Sequence, residues 1–373
     1  MFEFSSSEFY STARSRKLAK AKLPKMAFDY IDGSSLTEFG DRNSRNTIQK
    51  IQFSPRILRK ISKVDISHLI LNQKTDLPFG IAPMGMCNIT HPKTDQFIAK
   101  FGKKFNSPVC FSTMASTCLE KTYDISQNNG WFQLYVDEDL EHGLGLAKRA
   151  QKAGYKNLIF TVDVPALGRR PRELQHKFKV PFNPSLSQFF NLMMHPKWSF
   201  KMIMNGGSPK PANFKEISQL NRSRSRAAAD WNFLKKLRNE WKGKLIVKGV
   251  LNENDALALK EFGVDCIYVS GHGGRQIDSI PPPILQLKKI RNVLGSQFPL
   301  IYDTGIRNGE DVVKAYAMGA NFVMIGRAVL YAVAAGGYRG LENMSKNFCE
   351  EIKITMTQLG YSNIELINSD CII

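Results

Sequence analysis

A histidine and an arginine, three residues apart, follow a short apolar run in the second half of the chain. The run, residues 266–269, is Cys-Ile-Tyr-Val, and residues 270–275 after it are Ser-Gly-His-Gly-Gly-Arg. His272 can move a proton near neutral pH, and Arg275 can hold a carboxylate with two parallel hydrogen bonds. The glycines let the backbone approach a flat or phosphorylated ligand closely. Ordinary surface turns also contain motifs this short, so the chemistry depends on where the chain places it.

Eight apolar runs recur from about residue 78 onwards. They are mostly non-alternating and rich in Val, Ile and Phe, which is typical of strands buried on both faces. The runs occupy residues 79–84, 109–114, 130–136, 157–164, 244–250, 266–271, 299–305 and 321–327. Helix-like segments separate them, which predicts an α/β fold with a parallel sheet closed into a (β/α)₈ TIM barrel. A doubly wound sheet would need G-x-G-x-x-G after its first strand, where this chain has Ala-Pro-Met-Gly-Met.

The expected organisation is a single domain over residues 1–373. Residues 1–75 are expected to form an N-terminal helical cap, and residues 76–373 the barrel. About 80 residues separate the fourth and fifth strands, which is too many for one crossover. We therefore expect a long basic insertion at residues 176–226.

The insertion combines positive charge with large apolar side chains. Residues 176–226 contain nine Lys or Arg and one acid, Glu216, and in residues 189–204 Phe, Met and Trp are interleaved with Lys. This composition suits the interface of an anionic bilayer. A lid over the active site with its own small core is the alternative, and both can hold. Arginines 222, 224 and 226 form too short a basic run to indicate RNA binding.

Composition limits the compartment and the partners. Lys and Arg exceed Asp and Glu by 52 to 33, a net charge of +19, which attracts anionic surfaces or reflects a general bias. The six cysteines include no C-x-x-C pair, so we expect a reducing compartment and no metal site. The N-terminus lacks the apolar core of a signal peptide, and no apolar run reaches about 18 residues. We expect a cytoplasmic protein without nucleic acid partners.

Polar residues stand at nearly every strand end, where a barrel of this kind holds its ligands. They are Ser112, Gln133, Tyr135, Thr161, Asp163, Lys248, Ser270, His272, Asp303 and Arg327. Loops are polar in any protein, but a Lys or an Asp inside an apolar run is costly unless it is paired or used. The pattern predicts one large polar ligand at this end of the barrel.

The last two strands carry a candidate phosphate site. Gly305 with Arg307, and Gly326 with Arg327, would surround a phosphate with backbone amides and guanidinium groups, unless Arg307 faces the surface. Flavin mononucleotide has the length to reach from there to the barrel centre. Lys248 would then lie under the N1 and carbonyl edge of the ring and stabilise its negative charge on reduction.

Motifs along nearly the whole chain resemble the FMN-dependent L-2-hydroxy acid dehydrogenases and oxidases. They are FDYIDGSS, IAPMGMCNITHP, FSTMAST, WFQLYV, TVDVPALGRR, VKGV, SGHGGRQID, DTGIRNGEDVVKA and GRAVLYAVAAGG. The last two, with HPKWSFKMIMNGG in the insertion, most resemble the bacterial membrane-associated, quinone-linked L-lactate dehydrogenase. The resemblance implies oxidation of an L-2-hydroxy acid, with L-lactate favoured, FMN as cofactor and a quinone or similar electron acceptor. It also implies a homotetramer, peripheral on the inner face of the cell membrane.

The resemblance assigns a role to each site residue. His272 is the expected base, Asp163 the partner of its protonated form, and Tyr135 the neighbour of the substrate hydroxyl. Arg275 and Arg170, helped by Tyr30, are the expected carboxylate clamp. The expected FMN contacts are Ala82, Pro83, Met84, Ser112, Gln133, Thr161, Lys248, Ser270, Asp303, Gly305, Arg307, Gly326 and Arg327.

Two positions depart from the family pattern. Gly271 stands where the family usually has Asn, and Met114 stands where glycolate oxidase has Trp. A run of three prolines, residues 281–283, is also unusual. An oxygen-using oxidase of glycolate or mandelate type therefore stays open as an alternative. A non-redox FMN barrel and a non-catalytic basic protein are more remote ones.

Overall fold

The computed structural model describes residues 8–136, 139–176, 186–207, 209–214 and 229–373, and its centre is a closed barrel of eight parallel strands. The strands in chain order are β1 (His68–Ile70), β2 (Gln73–Thr75), β3 (Phe79–Met84), β4 (Val109–Ser112), β5 (Gly130–Leu134), β6 (Asn157–Thr161), β7 (Lys244–Val250), β8 (Cys266–Val269), β9 (Leu300–Tyr302) and β10 (Phe322–Ile325). Strands β3 to β10 pair in sequence order, and β10 closes the barrel on β3. The predicted (β/α)₈ TIM barrel is confirmed.

Helices surround the barrel and cover one end of it. They are α1 (Thr12–Lys22), α2 (Lys25–Asp32), α3 (Phe39–Lys50), α4 (Thr94–Lys104), α5 (Leu119–Ser126), α6 (Leu140–Ala153), α7 (Pro171–Gln175), α8 (Leu186–Met193), α9 (Pro196–Ile203), α10 (Trp231–Glu240), α11 (Glu253–Phe262), α12 (Pro283–Leu294), α13 (Gly309–Ala317) and α14 (Arg327–Leu359). Glycines at 154, 263 and 360 end α6, α11 and α14 in the left-handed conformation, which a residue without Cβ adopts at little cost.

Two apolar clusters lie on opposite faces of the barrel strands. Cys110, Trp131, Ile159 and Ile246 belong to the cluster that fills the barrel, whereas their neighbours in sequence pack outwards with the helices. Successive side chains of a strand alternate between faces. Both faces are apolar, so the strands read as continuous hydrophobic runs rather than as alternating ones.

The first 75 residues contain a hairpin in addition to helices α1, α2 and α3. Strands β1 and β2 pair antiparallel. Ile70 joins the cluster inside the barrel, and Trp131 donates its indole N–H to the side chain of Gln73 at 3.1 Å. Trp131 lies near the start of β5, so the hairpin closes the amino-terminal end of the barrel.

The described parts of the basic insertion are helical where the apolar run occurs. Helices α8 and α9 expose Phe190, Phe200 and Ile203 by 65%, 65% and 72%, and Met194 between the two helices is 78% exposed. Trp198 anchors α9 by donating its indole N–H to the Ile89 carbonyl at 2.9 Å. Lysines 177, 179 and 215, arginines 222, 224 and 226, and Glu216 lie outside the described residues. In the part of the chain that is described, no helix is both long and apolar enough to span a bilayer.

Candidate active site

The polar residues predicted at the strand ends form one layer at the carboxyl end of the barrel. Ser112, Gln133, Thr161 and Lys248 each come two residues after an inward-facing side chain of the same strand. Because side chains alternate along a strand, all four face the interior above the apolar filling. All four are also buried. Tertiary structure thus gathers groups that are far apart in the chain.

His272 is fixed by contacts on both sides of its ring. Its Nδ1 lies 2.9 and 3.0 Å from the two carboxylate oxygens of Asp163, and its Nε2 lies 3.2 Å from the hydroxyl of Tyr135. Its backbone N–H donates to the Ser270 hydroxyl at 3.0 Å. A Cβ on Gly249 would lie 2.5 Å from the Cβ of Asp163, so the absent side chain lets that carboxylate approach the ring. The turn that carries His272 is therefore held from its backbone and from its side chain.

The charges of this pair are set by burial and by their mutual attraction. Burial lowers the pKa of His272 below its ordinary value, although Asp163 acts to raise it. Burial works to raise the pKa of Asp163, yet the nearby His272 holds it below its ordinary value. At neutral pH the pair is a carboxylate beside a neutral imidazole. The carboxylate accepts from Nδ1–H, which leaves the lone pair of Nε2 able to accept a proton.

Two arginines share one buried acid at the mouth of the barrel. Arg275 Nη2 lies 2.6 Å from Glu173 Oε1, and Arg170 Nη1 lies 3.4 Å from the same oxygen. Arg275 also donates to the carbonyls of Tyr30 and Gly33 at 2.8 and 2.9 Å. Burial lowers the pKa of Arg275 to about 10, and the neighbouring Arg170 acts in the same direction. The cluster keeps one uncompensated positive charge, which an anionic ligand would neutralise.

Glu173 was not predicted from the sequence. It follows Arg170 by three residues and lies in the first turn of α7, where such a spacing brings side chains together. That charge pattern was the available signal. The contact of Glu173 with Arg275, which lies 102 residues further along the chain, could not be predicted from the sequence.

Lys248 lies in a network of short hydrogen bonds under the mouth of the barrel. Its Nζ donates to the Ser270 hydroxyl at 2.9 Å, and that hydroxyl donates to Asp303 Oδ1 at 2.6 Å. The Tyr268 hydroxyl donates to the other oxygen of Asp303 at 2.9 Å. Asp303 thus compensates a buried ammonium group. It was expected among the FMN contacts, and the structure places it beside Lys248.

Arg307 and Arg327 converge on a fourth acid, Asp41. Their guanidinium nitrogens lie 3.6 and 3.0 Å from Asp41 Oδ1. Arg307 does not face the surface, since only 21% of its side chain is exposed. Gly326 precedes Arg327, the first residue of α14, so Arg327 lies at the amino-terminal end of a helix that is regular up to the kink at Gly336 and Gly337. Helix amino-termini and arginines together favour a phosphate.

A cavity of about 140 Å³ joins these groups. Its walls comprise Tyr30, Ile31, Ala82, Pro83, Met84, Gly85, Tyr135, Lys248, His272, Gly273, Arg275, Asp303, Thr304, Gly305, Ile306, Arg307, Met324, Gly326, Arg327 and Leu330. Nine of the thirteen expected FMN contacts, together with Tyr135 and His272, therefore line one cavity, with Gly305 and Gly326 at the end that holds the arginines. The cavity walls do not include Ser112, Gln133, Thr161, Ser270 or Asp163.

The polar groups of this site fit a flavin. Both side-chain atoms of Gln133 that can hydrogen-bond, and the hydroxyl of Thr161, are buried without a hydrogen-bond partner among the described residues. Unpaired buried polar atoms are costly, so a ligand with a polar edge is expected there. Ser112 differs, because its hydroxyl already accepts the Met114 backbone N–H at 3.1 Å. Donors, acceptors and the Lys248 cation match the edge of an isoalloxazine ring, and Arg307 and Arg327 match a phosphate.

A family model described as FMN-dependent dehydrogenase matches residues 19–373. The chain belongs to this family. The protein is therefore a flavoprotein that uses FMN, which agrees with the polar groups of the site.

Three relatives show the range of chemistry in the family. This chain is 33% identical to (S)-mandelate dehydrogenase of Pseudomonas putida, over 95% of this chain and 91% of that protein. It is 32% identical to an L-lactate dehydrogenase of Allorhizobium ampelinum, over 96% and 97% of the two chains. It is 34% identical to a 2-hydroxyacid oxidase of Dictyostelium discoideum, over 98% and 90%.

A solved structure agrees with this assignment. The crystal structure of the monotopic membrane protein (S)-mandelate dehydrogenase superposes with a TM-score of 0.93 at 32% identity, covering 98% of this chain and 99% of that chain. The protein thus belongs to the FMN-dependent 2-hydroxy acid dehydrogenases and oxidases. Similar identities to lactate and mandelate enzymes do not decide the substrate or the electron acceptor.

A second cavity of about 390 Å³ adjoins the first and shares Tyr30, Tyr135, His272 and Arg275 with it. Its other polar walls are Arg169, Arg170, Glu173 and Gln276. Its apolar walls are Met86, Met114, Val164, Leu167 and Leu174. A carboxylate at the arginines would leave the rest of a small acid against these apolar side chains.

Proposed function

We propose that the protein oxidises an L-2-hydroxy acid to the 2-oxo acid and passes the electrons to a quinone or a similar acceptor. L-lactate is the first candidate for the substrate. One observation carries the proposal. A neutral histidine and two arginines that share a single acid line the same cavity. A 2-hydroxy acid needs a base for one proton and a cation for its carboxylate, and both are within reach of one small molecule.

The carboxylate is held by Arg275 and Arg170 in this proposal. Guanidinium groups hold carboxylates with paired hydrogen bonds, which fixes the orientation of the acid as well as its position. The Tyr30 hydroxyl, which contacts the Gly85 carbonyl at 3.1 Å, lies in the same wall and adds a polar contact. The reacting carbon is thereby presented to His272.

The proton goes to Nε2 of His272. Oxidation of the alcohol carbon removes two electrons and two protons, and His272 accepts one of the protons. The two electrons and the other proton would pass to FMN, when it is bound. Asp163 then faces an imidazolium and stabilises it through both of its oxygens. Tyr135 OH, at 3.2 Å from Nε2, keeps contact with the reacting edge of the ring and lies beside the substrate hydroxyl.

Bound FMN supplies the two-electron acceptor. Gln133, Thr161 and Ser112 would hold its ring edge, the backbone at Ala82 to Met84 would face the ring, and the arginines near Gly305 and Gly326 would hold its phosphate. Lys248 keeps a fixed positive charge where negative charge develops on reduction. Ser270 and Asp303 hold that ammonium group in place.

The apolar faces of α8 and α9 support contact with a membrane, which is where a quinone is found. Phe200, Ile203 and Met204 are exposed by 65%, 72% and 66%, next to Lys197 and Lys201. Apolar side chains beside lysines suit the boundary between headgroups and acyl chains of an anionic bilayer. We propose that this surface attaches the protein peripherally to the inner face of the cell membrane. We also propose that the protein is a homotetramer, and light scattering would test this oligomeric state.

Anaerobic bleaching of the flavin tests the proposed function. The purified yellow protein is mixed with L-lactate, D-lactate, glycolate, L-2-hydroxyisocaproate and (S)-mandelate, and the loss of flavin absorbance is followed. We expect bleaching by L-acids, with L-lactate and the apolar acids ahead of glycolate because of the apolar cavity walls. No bleaching by any of the acids would overturn the proposal.

Two further measurements resolve the roles within this reaction. His272→Gln should retain FMN and slow bleaching by about 10³-fold or more, given what a general base contributes. Unchanged bleaching would remove His272 from that role. Reoxidation of the bleached protein by a soluble quinone, compared with air-saturated buffer, distinguishes a dehydrogenase from an oxidase. Faster reoxidation in air would favour the oxidase.

A further inference from the structure

A threonine at the end of β9 has a backbone conformation that is unfavourable for it. Thr304 has φ of +88°. Positive φ is an outlier for a β-branched residue, because its side chain crowds the backbone there. Such a conformation persists where the surroundings impose it, and often where function benefits. The side chain of Thr304 must therefore make contacts that a glycine would not.

Its hydroxyl group has a full set of hydrogen bonds. It donates to Asp303 Oδ1 at 2.8 Å and accepts the backbone N–H of Gly271 at 3.0 Å. The N–H of Gly273 points to the same oxygen at 3.5 Å. A hydroxyl has one donor and two acceptor positions, and these three contacts use all of them.

These contacts link two parts of the active site. Gly271 and Gly273 are the immediate neighbours of His272, which itself has φ of +51°. Asp303 receives the hydrogen bond that passes from Lys248 through Ser270. One hydroxyl thus ties the turn of the proposed base to the carboxylate that compensates the buried lysine.

Gly271 could not make this connection with a side chain of its own. A Cβ at Gly271 would lie 2.6 Å from Cγ of Pro283 and 2.7 Å from Cδ1 of Ile280, both closer than real contacts allow. The same Cβ would lie 3.6 Å from Cγ2 of Thr304. The unusual proline run thus fills the space beside Gly271, and the side chain that reaches the turn comes from Thr304 instead.

We propose that Thr304 is a positioning residue, whose hydroxyl sets the placement of His272 and the tie between Asp303 and Lys248. The proposal rests on the proposed function for its kinetic consequence. Its structural consequence, the placement of the His272 ring, is independent of any substrate.

Three substitutions in the full-length FMN-bound protein test it. Thr304→Ser keeps the hydroxyl, Thr304→Val keeps the shape without the hydroxyl, and Thr304→Gly removes both the hydroxyl and the backbone strain. The rate of anaerobic flavin reduction at saturating substrate is measured for each, with the substrate concentration at half-saturation, the affinity for FMN and the melting temperature. Ring-¹⁵N spectra of the six histidines, assigned with His272→Gln, report the placement of the imidazole without substrate.

The expected pattern separates positioning from folding. Thr304→Ser stays within about threefold of the parent, whereas Thr304→Val and Thr304→Gly lose about 10- to 100-fold in reduction rate, as a misplaced catalytic group does. In these two variants the substrate concentration at half-saturation and the affinity for FMN change far less than the reduction rate. In both slow variants the His272 ring signals shift or broaden while the other five stay, and Thr304→Gly melts no lower than the parent.

Two results would overturn the inference. One is parental reduction by Thr304→Gly and Thr304→Val. The other is an unchanged set of His272 ring signals in both variants, which refutes positioning whether or not any acid reduces the flavin. A parent protein that no acid reduces would instead refute the proposed function, and shifted ring signals in Thr304→Val would still support the placement role.

Discussion

Replacing Asp163 by asparagine removes one charge from the centre of the site with little change in shape. Both oxygens of Asp163 lie within 3.0 Å of Nδ1 of His272. The asparagine carbonyl can still accept from Nδ1–H, so the ring should keep its orientation. What is lost is the attraction between a carboxylate and the imidazolium that forms when Nε2 accepts a proton.

The size of the effect follows from this contact. A buried hydrogen bond to a charged group contributes about 1.5–3 kcal/mol. Because about 1.4 kcal/mol corresponds to a factor of ten in rate, flavin reduction should slow by about 10- to 150-fold. Substrate half-saturation should change little, since the carboxylate is held by Arg275 and Arg170. The loss should therefore appear in the rate at saturating substrate.

The pH dependence gives a second, signed expectation. Neutral His272 is the active form, so the rate rises as pH increases through its pKa. Asp163 acts to raise that pKa against the effect of burial. Asp163→Asn should therefore move the acid limb of the profile to lower pH while its plateau falls.

Stopped-flow reduction across pH 5 to 9 measures both effects (a range of about four units around the ordinary histidine pKa). Asp265→Asn is the matched control, because Asp265 pairs with Arg238 and Lys244 at the start of β7, away from the site. The control should reduce at the parental rate. Parental rates in Asp163→Asn at every pH, with FMN bound, would refute the proposed role of the carboxylate.

Three further outcomes are expected. Glu173→Gln should lower the free energy of unfolding by about 3 kcal/mol, since it strips a buried arginine pair of its acid, and should tighten binding of oxalate at Arg275. Burial, with two nearby lysines, lowers the pKa of His91 to about 4, so unfolding free energy should fall as pH drops from 6.5 towards 4, and His91→Asn should flatten that slope. Serine at both Phe200 and Ile203 should weaken binding to phosphatidylglycerol-rich vesicles by at least about tenfold.

The first and the third of these outcomes have a matched control. Glu120→Gln breaks a half-exposed pair with Arg149 and should cost no more than about 1 kcal/mol. Ile57→Ser removes an equally exposed apolar side chain elsewhere and should leave vesicle binding unchanged. Weaker oxalate binding in Glu173→Gln, an unaltered pH slope in His91→Asn, or parental vesicle binding of the α9 double variant would contradict the respective reasoning.

The barrel was predictable because its strands are buried on both faces. Every one of the eight apolar runs contains a barrel strand, and the strands pair in sequence order. Several predicted runs were too long at the carboxyl end. Residues 299–305 contain a strand of three residues, Leu300–Tyr302, because Asp303 and Thr304 turn away to hydrogen-bond in the site. The polar residues of the site thus follow directly after the last residue of the strand.

The hairpin at the amino-terminal end of the barrel was not predicted. His68–Ile70 and Gln73–Thr75 are too short for a clear period, and Leu71 and Asn72 between them both have positive φ without being glycine. What stabilises the hairpin is Ile70 inside the barrel and the contact of Gln73 with Trp131. Those partners are distant in sequence, so local pattern could not reveal them.

The sequence alone determined the residue types of the site and their order at the strand ends, since periodicity places each of them at the same end of a parallel barrel. Tertiary structure decided how they are paired. Glu173 shared by two arginines, Asp41 between the two expected phosphate ligands, and Thr304 above His272 each depend on contacts between distant segments. The physical reason is that a buried charge is unfavourable unless an opposite charge lies beside it. The packing of distant segments determines which opposite charge that is.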